Sequence, residues 1–197
     1  MRRLFPASLL LIVTCNGGEP EPVANGQTQG VVDSIFPVVE EIRRFKFQVG
    51  GPFPTELEHA AESRDQLVLG FIAALETRDT TTMRSLAVTS REFIELYYPH
   101  SPYARPPYKQ SPALLWFLMQ QNSQKGFSRA LDRYGGTPAG FRGIDCQPEP
   151  RSQERNRLWD CAVRWTPGPG KPDRMKLFGT IIEREGRFKF LTYANDL

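Results

Sequence analysis

The chain has 197 residues, of which 40% are hydrophobic and 24% are charged, and its formal net charge is +3. This composition is typical of a globular protein, because disordered chains contain fewer apolar residues and have a stronger charge imbalance. The small net charge also argues against nucleic acid as the main partner, since proteins that neutralise many phosphates have a large basic excess.

The first residues have the pattern of a bacterial export signal. Arg2 and Arg3 precede an apolar stretch over residues 4–13, and Cys15 follows closely. A basic start and an apolar core that is too short to span a bilayer are typical of secretion signals. We therefore expect residues 1–15 to form a lipoprotein-type signal, with Cys15 as the lipidation site and its acyl chains as the membrane anchor.

Cleavage at an ordinary signal-peptidase site is the alternative to lipidation at Cys15. Thr14 precedes the cysteine, where bacterial lipoproteins usually have a smaller Gly, Ala or Ser. Both alternatives export the chain, so the expected location is the bacterial cell envelope. Loss of the signal removes two arginines and lowers the formal charge from +3 to +1. We expect residues 16–32 to be a flexible tether and residues 33–197 to form a single domain.

The predicted helices precede the predicted strands. Ser63 and Gln66 form a capping box before an apolar stripe, and Ser111-Pro112 is a typical start of a helix. Helices are predicted at residues 35–45, 63–77, 79–87, from 89 onward and 113–134. Strands are predicted at residues 141–146, 158–165, 175–183 and 187–193, with a tight turn at Glu185-Gly186. This order predicts an α+β fold, with N-terminal helices packed on one face of a curved antiparallel sheet.

Cys146 and Cys161 form an even pair once Cys15 is assigned to the signal, and an oxidising compartment favours a disulfide. Both lie in predicted strands that are joined by the polar residues 147–157, so a bridge between adjacent strands is geometrically reasonable. A metal or redox pair is the alternative. The chain has no C-x-x-C motif, and its two histidines lie far away in sequence, so we expect no metal and no cofactor.

The phrase Leu75-Glu76-Thr77-Arg78-Asp79-Thr80 links the second and third predicted helices. Together with the long helix and the closing hairpin, it resembles the nuclear transport factor two-like, or SnoaL-like, superfamily over residues 63–197. The resemblance implies a cystatin-like, cone-shaped fold in which a curved sheet wraps helices around a pocket. Two features differ from the family pattern, namely the extra helix at residues 35–45 and the longer Pro- and Tyr-rich loop at residues 98–110.

Other segments are similar to uncharacterised bacterial secreted or lipoprotein members of this superfamily, which carry no assigned activity. These segments include Arg91-Glu92-Phe93, Trp116-Phe117 and Phe178-Gly179-Thr180. Enzymes of the superfamily use Asp, His and Tyr in the pocket for proton abstraction beside a carbonyl or for dehydration. No local motif places such a residue in this chain, so the catalytic residues remain unassigned.

The candidate ligand-binding residues lie in the segment 97–110, here called the Tyr-rich loop, and in the helix after it. Tyrosines provide rigid amphipathic contact area, and prolines lower the entropy cost of fixing a loop. The loop candidates are Tyr97, Tyr98, His100, Tyr103, Arg105 and Tyr108. The alternative is that the prolines route the chain over a pocket mouth while the tyrosines cover apolar edges and His100 is simply exposed.

The helix after the loop has amides beside apolar rows. One stripe contains Trp116, Gln120 and Ser123 or Gln124, and another contains Leu115, Leu118, Met119 and Asn122. We select Trp116, Gln120 and Asn122 as candidates, because amides that point into a pocket can hydrogen-bond a ligand. A purely structural role, in which the amides bond neighbouring loops, is the alternative.

These patterns predict an exported, lipid-anchored binding or interaction module. Its partner would be an unidentified small ligand or an envelope protein, and it would use the pocket or the Tyr-rich loop. The first alternative is a pocket enzyme with isomerase-like or dehydratase-like acid–base chemistry. The second alternative is a structural component of an envelope assembly.

Overall fold

The computed structural model describes residues 36–166, 173–195 and 197. The predicted signal, the tether and Cys15 lie outside these residues. The helices come first in the chain, as predicted. They are α1 (Val38–Val49), α2 (Arg64–Glu76), α3 (Thr80–Ser85), α4 (Ser90–Glu92) and α5 (Pro112–Tyr134). Among the described residues, no helix has both the length and the apolar character that a membrane crossing requires.

The helix starts follow from side-chain caps. The Ser63 hydroxyl accepts a hydrogen bond from the Gln66 backbone at the start of α2, and the Asp79 carboxylate accepts from two backbone N–H groups at the start of α3. Ser111 caps α5 in the same way. Because these caps satisfy N–H groups that have no partner inside the helix, they fix where each helix begins. The helix predicted at residues 35–45 is displaced, since it begins only after Pro37 and continues to Val49.

The fourth helix changes its winding along its length. α4 has the predicted capping box between Thr89 and Glu92, and the chain then continues as a π-helical turn, Phe93–Tyr97. Two 3₁₀ turns follow, Tyr98–His100 and Pro102–Ala104. The beginning of the Tyr-rich loop is therefore wound rather than extended.

The antiparallel sheet is built around one long strand. The strands are β1 (Phe141–Cys146), β2 (Arg151–Gln153), β3 (Asn156–Trp165), β4 (Arg174–Met175), β5 (Thr180–Arg184) and β6 (Arg187–Phe190). β1 and β2 pair with one edge of β3, β4 and β5 pair with the other edge, and β6 pairs with β5. The turn at Glu185-Gly186 is confirmed, because both residues have the positive φ that such hairpins require.

Two strand predictions need correction. Residues 147–157 were expected to be a polar connection, but they contain β2 and the turn that leads into β3. The single strand expected at residues 175–183 is divided into β4 and β5. Between them Gly179 donates its N–H to the Thr192 carbonyl, and a Cβ at this position would lie 2.1 Å from the Thr192 hydroxyl. The chain therefore leaves the ladder at a glycine, where the absence of a side chain allows this close approach.

The predicted disulfide between Cys146 and Cys161 is present. The two cysteines are directly opposite each other in the β1–β3 pair, with Cα atoms 4.0 Å apart. The bridge therefore joins the central strand to its neighbour at the point where β1 ends.

Apolar clusters cover both faces of the sheet. Ile181 belongs to a cluster with α2, α3 and the C-terminal part of α5, whereas the adjacent Ile182 belongs to a second cluster with α1 and the π-helical turn. Because neighbouring residues of a strand point to opposite faces, helical segments contact the sheet from both sides. The expectation that the helices pack on one face only is therefore wrong.

Two buried polar contacts attach the α4 segment to the sheet. Glu92 and Lys189 are 1% and 2% exposed, and the Lys189 Nζ lies 3.0 and 3.1 Å from the two carboxylate oxygens. Four residues further along, the Leu96 carbonyl accepts a hydrogen bond of 2.7 Å from Asn156. These contacts satisfy polar groups that would otherwise be costly to bury.

Candidate functional site

A cavity of about 470 Å³ lies between the Tyr-rich loop, α5 and the sheet, and it is called the main cavity below. This volume falls within the roughly 300–1,000 Å³ of small-molecule pockets. Its lining comprises Tyr97, Pro102, Tyr103, Gln110, Leu115, Leu118, Met119, Asn122, Arg151, Gln153, Leu158, Thr180, Leu191, Thr192 and Ala194.

One wall of the main cavity is a single stripe of α5. Leu115, Leu118, Met119 and Asn122 line it, and these are the four residues of the second predicted stripe. The wound Tyr-rich loop and α5 meet here because the loop leads directly into the α5 cap. This wall is apolar except for the Asn122 amide.

A polar wall of the main cavity comes from the sheet. Arg151 donates through Nη2 to Asp160 at 3.1 Å and to the Thr180 hydroxyl at 3.5 Å. The Thr180 hydroxyl in turn donates to the other Asp160 oxygen at 3.0 Å. Arg151 is the only charged residue in the described lining, and its guanidinium forms an ion pair with the Asp160 carboxylate next to the lining.

Tyr97 and Tyr98 are both buried, but only Tyr97 lines the main cavity. Burial raises the pKa of Tyr97, while hydrogen bonding by the Ser101 and Gln153 side chains acts in the opposite direction. The Tyr98 hydroxyl donates to the Gln110 carbonyl at 2.8 Å, and burial raises the pKa of Tyr98 to about 12. Tyr98 therefore closes the loop on itself, and Tyr97 presents an aromatic surface to the cavity.

His100 and Arg105 meet at one acidic residue. The His100 Nδ1 lies 2.5 Å from one Glu154 oxygen, and the Arg105 guanidinium donates to the other. Arg105 and, to a smaller extent, His100 lower the pKa of Glu154. Because Glu154 lies in the β2–β3 turn, this trio attaches the Tyr-rich loop to the sheet; it is called the Glu154 cluster below.

Tyr103 and Tyr108 form a ring pair with centroids 5.5 Å apart. Tyr103 is 37% exposed and lines the main cavity, whereas Tyr108 is 63% exposed and does not. Tyr108 therefore supports Tyr103 from the solvent side.

The other predicted stripe of α5 borders a second, smaller cavity of about 170 Å³. Trp116 and Gln120 line it together with Ser123 and Gln124, and the Trp116 ring centroid is 5.0 Å from that of Phe93. The candidates are thus divided: Tyr97, Tyr103 and Asn122 line the main cavity, Trp116 and Gln120 line the smaller one, and Tyr98, His100, Arg105 and Tyr108 line neither.

The polar wall was missed by the sequence analysis. Arg151 and Gln153 lie in β2, which was assigned to a connection, and Thr180 was treated only as part of a strand. The turn after β2 has Glu154 at a φ of 53° and contains no glycine, asparagine or proline. It therefore lacks the residues by which hairpins are recognised in a sequence.

The described lining of the main cavity contains no Asp, Glu or His. Within the described part of the chain, no group of three His, Cys, Asp or Glu residues is placed to hold a metal ion. The main cavity can therefore supply apolar contact, hydrogen bonds and one guanidinium, which already pairs with Asp160. No protein-family model, curated protein or solved structure matches this chain.

Proposed function

We propose that this chain is a binding module whose main cavity holds a small ligand. The observation that carries this proposal is the lining itself, which combines an apolar stripe of α5 with the polar side chains of Arg151, Gln153 and Thr180. Pockets that bind small molecules combine these features, since apolar walls provide affinity and a few polar groups fix the orientation.

The proposal includes a relation to the nuclear transport factor two-like superfamily and its cone-shaped fold. The order of elements supports this relation, because capped helices precede an antiparallel sheet and the long α5 lies beside the cavity. We also propose that the protein is exported and held at the bacterial envelope by a lipid on Cys15. The basic and apolar start of the chain supports this location.

The lining supports binding more than acid–base catalysis. A general base must lie within hydrogen-bond reach of the proton it removes. The titratable groups of the described lining are Tyr97, Tyr103 and Arg151, and burial raises the pKa of Tyr97. A tyrosine with a raised pKa is a hydrogen-bond donor at neutral pH rather than a base.

A small-molecule library tests the proposal by thermal shift, with the chain purified without detergent. Leu118→Trp narrows the cavity, since Leu118 lines it and is 42% exposed at its surface. Leu114→Trp is the matched control, because Leu114 is 49% exposed one turn earlier and lies outside the lining. We expect compounds that stabilise the chain and the control but not Leu118→Trp. A library without any binder, or equal binding by both variants, would contradict the proposal.

The anchor has a separate test. Growth with a labelled fatty acid should label the wild-type chain and leave Cys15→Ala unlabelled. Label that is independent of Cys15, or its complete absence from the wild type, would exclude the proposed lipidation.

A further inference from the structure

The lining of the main cavity is divided by chemistry into two sides. Leu115, Leu118 and Met119 form the α5 wall, and Leu158 and Leu191 extend the apolar surface. The polar groups of Arg151 and Gln153 come from β2, and that of Thr180 comes from β5, on the other edge of β3. A ligand that satisfies both sides must itself have an apolar part and a polar end.

The polar end of the ligand is expected to be an anion, because the Arg151 guanidinium has N–H donors without a described hydrogen bond. The guanidinium pairs with the Asp160 carboxylate and contacts the Thr180 hydroxyl, but both of these described bonds use Nη2, and a guanidinium has five N–H donors. The side chain is 59% exposed, so a ligand can reach its remaining donors. Arginine binds carboxylates and phosphates through two parallel hydrogen bonds, which favours an anionic head group at this position.

The apolar part has a route to the surface. Leu118 and Tyr103 line the main cavity and are 42% and 37% exposed, so the cavity opens between α5 and the Tyr-rich loop. Phe117, on the same helix, is 56% exposed. An alkyl chain that extends beyond the cavity would therefore lie close to further apolar surface rather than only in water.

We infer that the main cavity binds a single-chain amphiphile with an anionic head group. The alkyl chain lies against Leu115, Leu118 and Met119, and the head group pairs with Arg151. This inference rests on the proposed function, because it names the ligand class for that same cavity.

Isothermal titration with dodecanoate, octanoate and dodecanol, below their aggregation concentrations, tests this ligand class on the detergent-free chain. We expect dodecanoate to bind, with about a fourfold gain in affinity for each methylene added after octanoate. Dodecanol should bind about tenfold more weakly than dodecanoate, because it lacks the charge-assisted hydrogen bonds. Lysophosphatidylglycerol, added as a further probe, reports whether a membrane lipid or a free fatty acid is preferred, and binding of either supports the inference.

Arg151→Gln should weaken dodecanoate binding about tenfold and leave dodecanol binding unchanged. Arg151→Lys keeps the charge and should recover part of this loss. Arg155→Gln is the matched control, because Arg155 lies in the adjacent turn and pairs with Glu185 outside the cavity lining. Melting curves of all variants show whether each is folded.

Three results would overturn the ligand class. The first is an equal loss of dodecanoate affinity in Arg151→Gln and Arg155→Gln, and the second is an affinity that does not depend on the length of the alkyl chain. The third is the absence of dodecanoate binding while library compounds still bind the wild type and not Leu118→Trp. In the last case the proposed function stands and only the ligand class is wrong. If neither the amphiphiles nor any library compound binds, both proposals fail.

Discussion

Lys189→Met removes one half of the buried ion pair that joins β6 to α4. The Lys189 Nζ donates to both oxygens of Glu92 and to the Glu58 carbonyl at 3.1 Å. The Glu92 carboxylate also accepts hydrogen bonds from the backbone N–H groups of Glu58 at 2.8 Å and Thr89 at 2.6 Å. After the substitution, this carboxylate keeps two backbone donors but loses its only described counter-charge.

The size of the stability loss in Lys189→Met follows from the burial of both side chains of the ion pair. Side-chain exposure is 3% for Lys189 and 0% for Glu92, so water cannot replace the missing cation. Removing one partner of a buried ion pair costs about 3–5 kcal/mol. The two backbone donors that remain on Glu92 place the expected loss near the lower end, at about 3 kcal/mol. This is a large part of the roughly 5–15 kcal/mol by which domains are stable.

Urea denaturation, followed by circular dichroism with the disulfide intact, measures this loss. With a slope of about 1–3 kcal/mol per molar urea, the midpoint should fall by roughly 1–3 M. Arg187→Met is the matched control on the same strand, because its pair with Glu62 is 3.4 Å long and exposed, and it should lose less than about 1 kcal/mol. The double variant Glu92→Gln/Lys189→Met should lose clearly less free energy of unfolding than the sum of the losses in Glu92→Gln and Lys189→Met. Equal losses in Lys189→Met and Arg187→Met, or additive losses in the double variant, would refute the reasoning.

Three further predictions concern other parts of the domain. Replacing Cys146 and Cys161 by serine removes the disulfide, which links residues 15 positions apart. The free energy of unfolding should fall by about 3 kcal/mol in urea denaturation, and an unchanged midpoint would contradict this. Gly126→Ala places a Cβ 1.8 Å from the Tyr193 carbonyl oxygen, so the melting temperature should fall with a loss of about 1–3 kcal/mol or more, whereas a neutral result would exclude this contact. The Arg105 guanidinium lowers the pKa of Glu154 from its ordinary value of 4.5, so the stabilising contribution of this carboxylate is fully present above pH 4.5 and is lost as the pH falls through the lower folded value. Proteolysis of the Tyr-rich loop should therefore increase more at low pH in the wild type than in Glu154→Gln, and equal increases in both would contradict this role of Glu154.

The helices could be predicted because their signals are local. Ser63 and Asp79 cap α2 and α3 where the sequence places them, and Ser111 does the same for α5. Each cap needs only a side chain and the next three residues, so no long-range contact is involved. The division of α5 into two stripes was also predictable, since helical spacing alone decides which residues share a face.

The second face of the sheet could not be predicted in the same way. β5 has the sequence Thr-Ile-Ile-Glu-Arg, and two adjacent apolar residues in so short a strand do not indicate whether one face of the sheet is covered or both. The burial of Lys189 could not be predicted either, because a lysine in a strand next to a turn is usually exposed. Its burial depends on the ion pair with Glu92, which lies on a distant helix. Contacts between residues separated by 97 positions leave no local pattern in the sequence.

The lining of the main cavity depends partly on local sequence signals and partly on long-range contacts, so the sequence could identify only part of it. Tyr97 and Asn122 were visible as unusual residues of a loop and a helix, whereas Arg151 lies in a strand whose turn has no recognisable signal. The position of Tyr97 depends on the buried contacts of α4, since Glu92 caps that helix and the Leu96 carbonyl is held by Asn156. The pairing of Glu92 with β6 thus supports the segment that presents Tyr97 to the cavity. Loss of this pairing should therefore reduce ligand affinity as well as stability, which links the core of the domain to its proposed binding site.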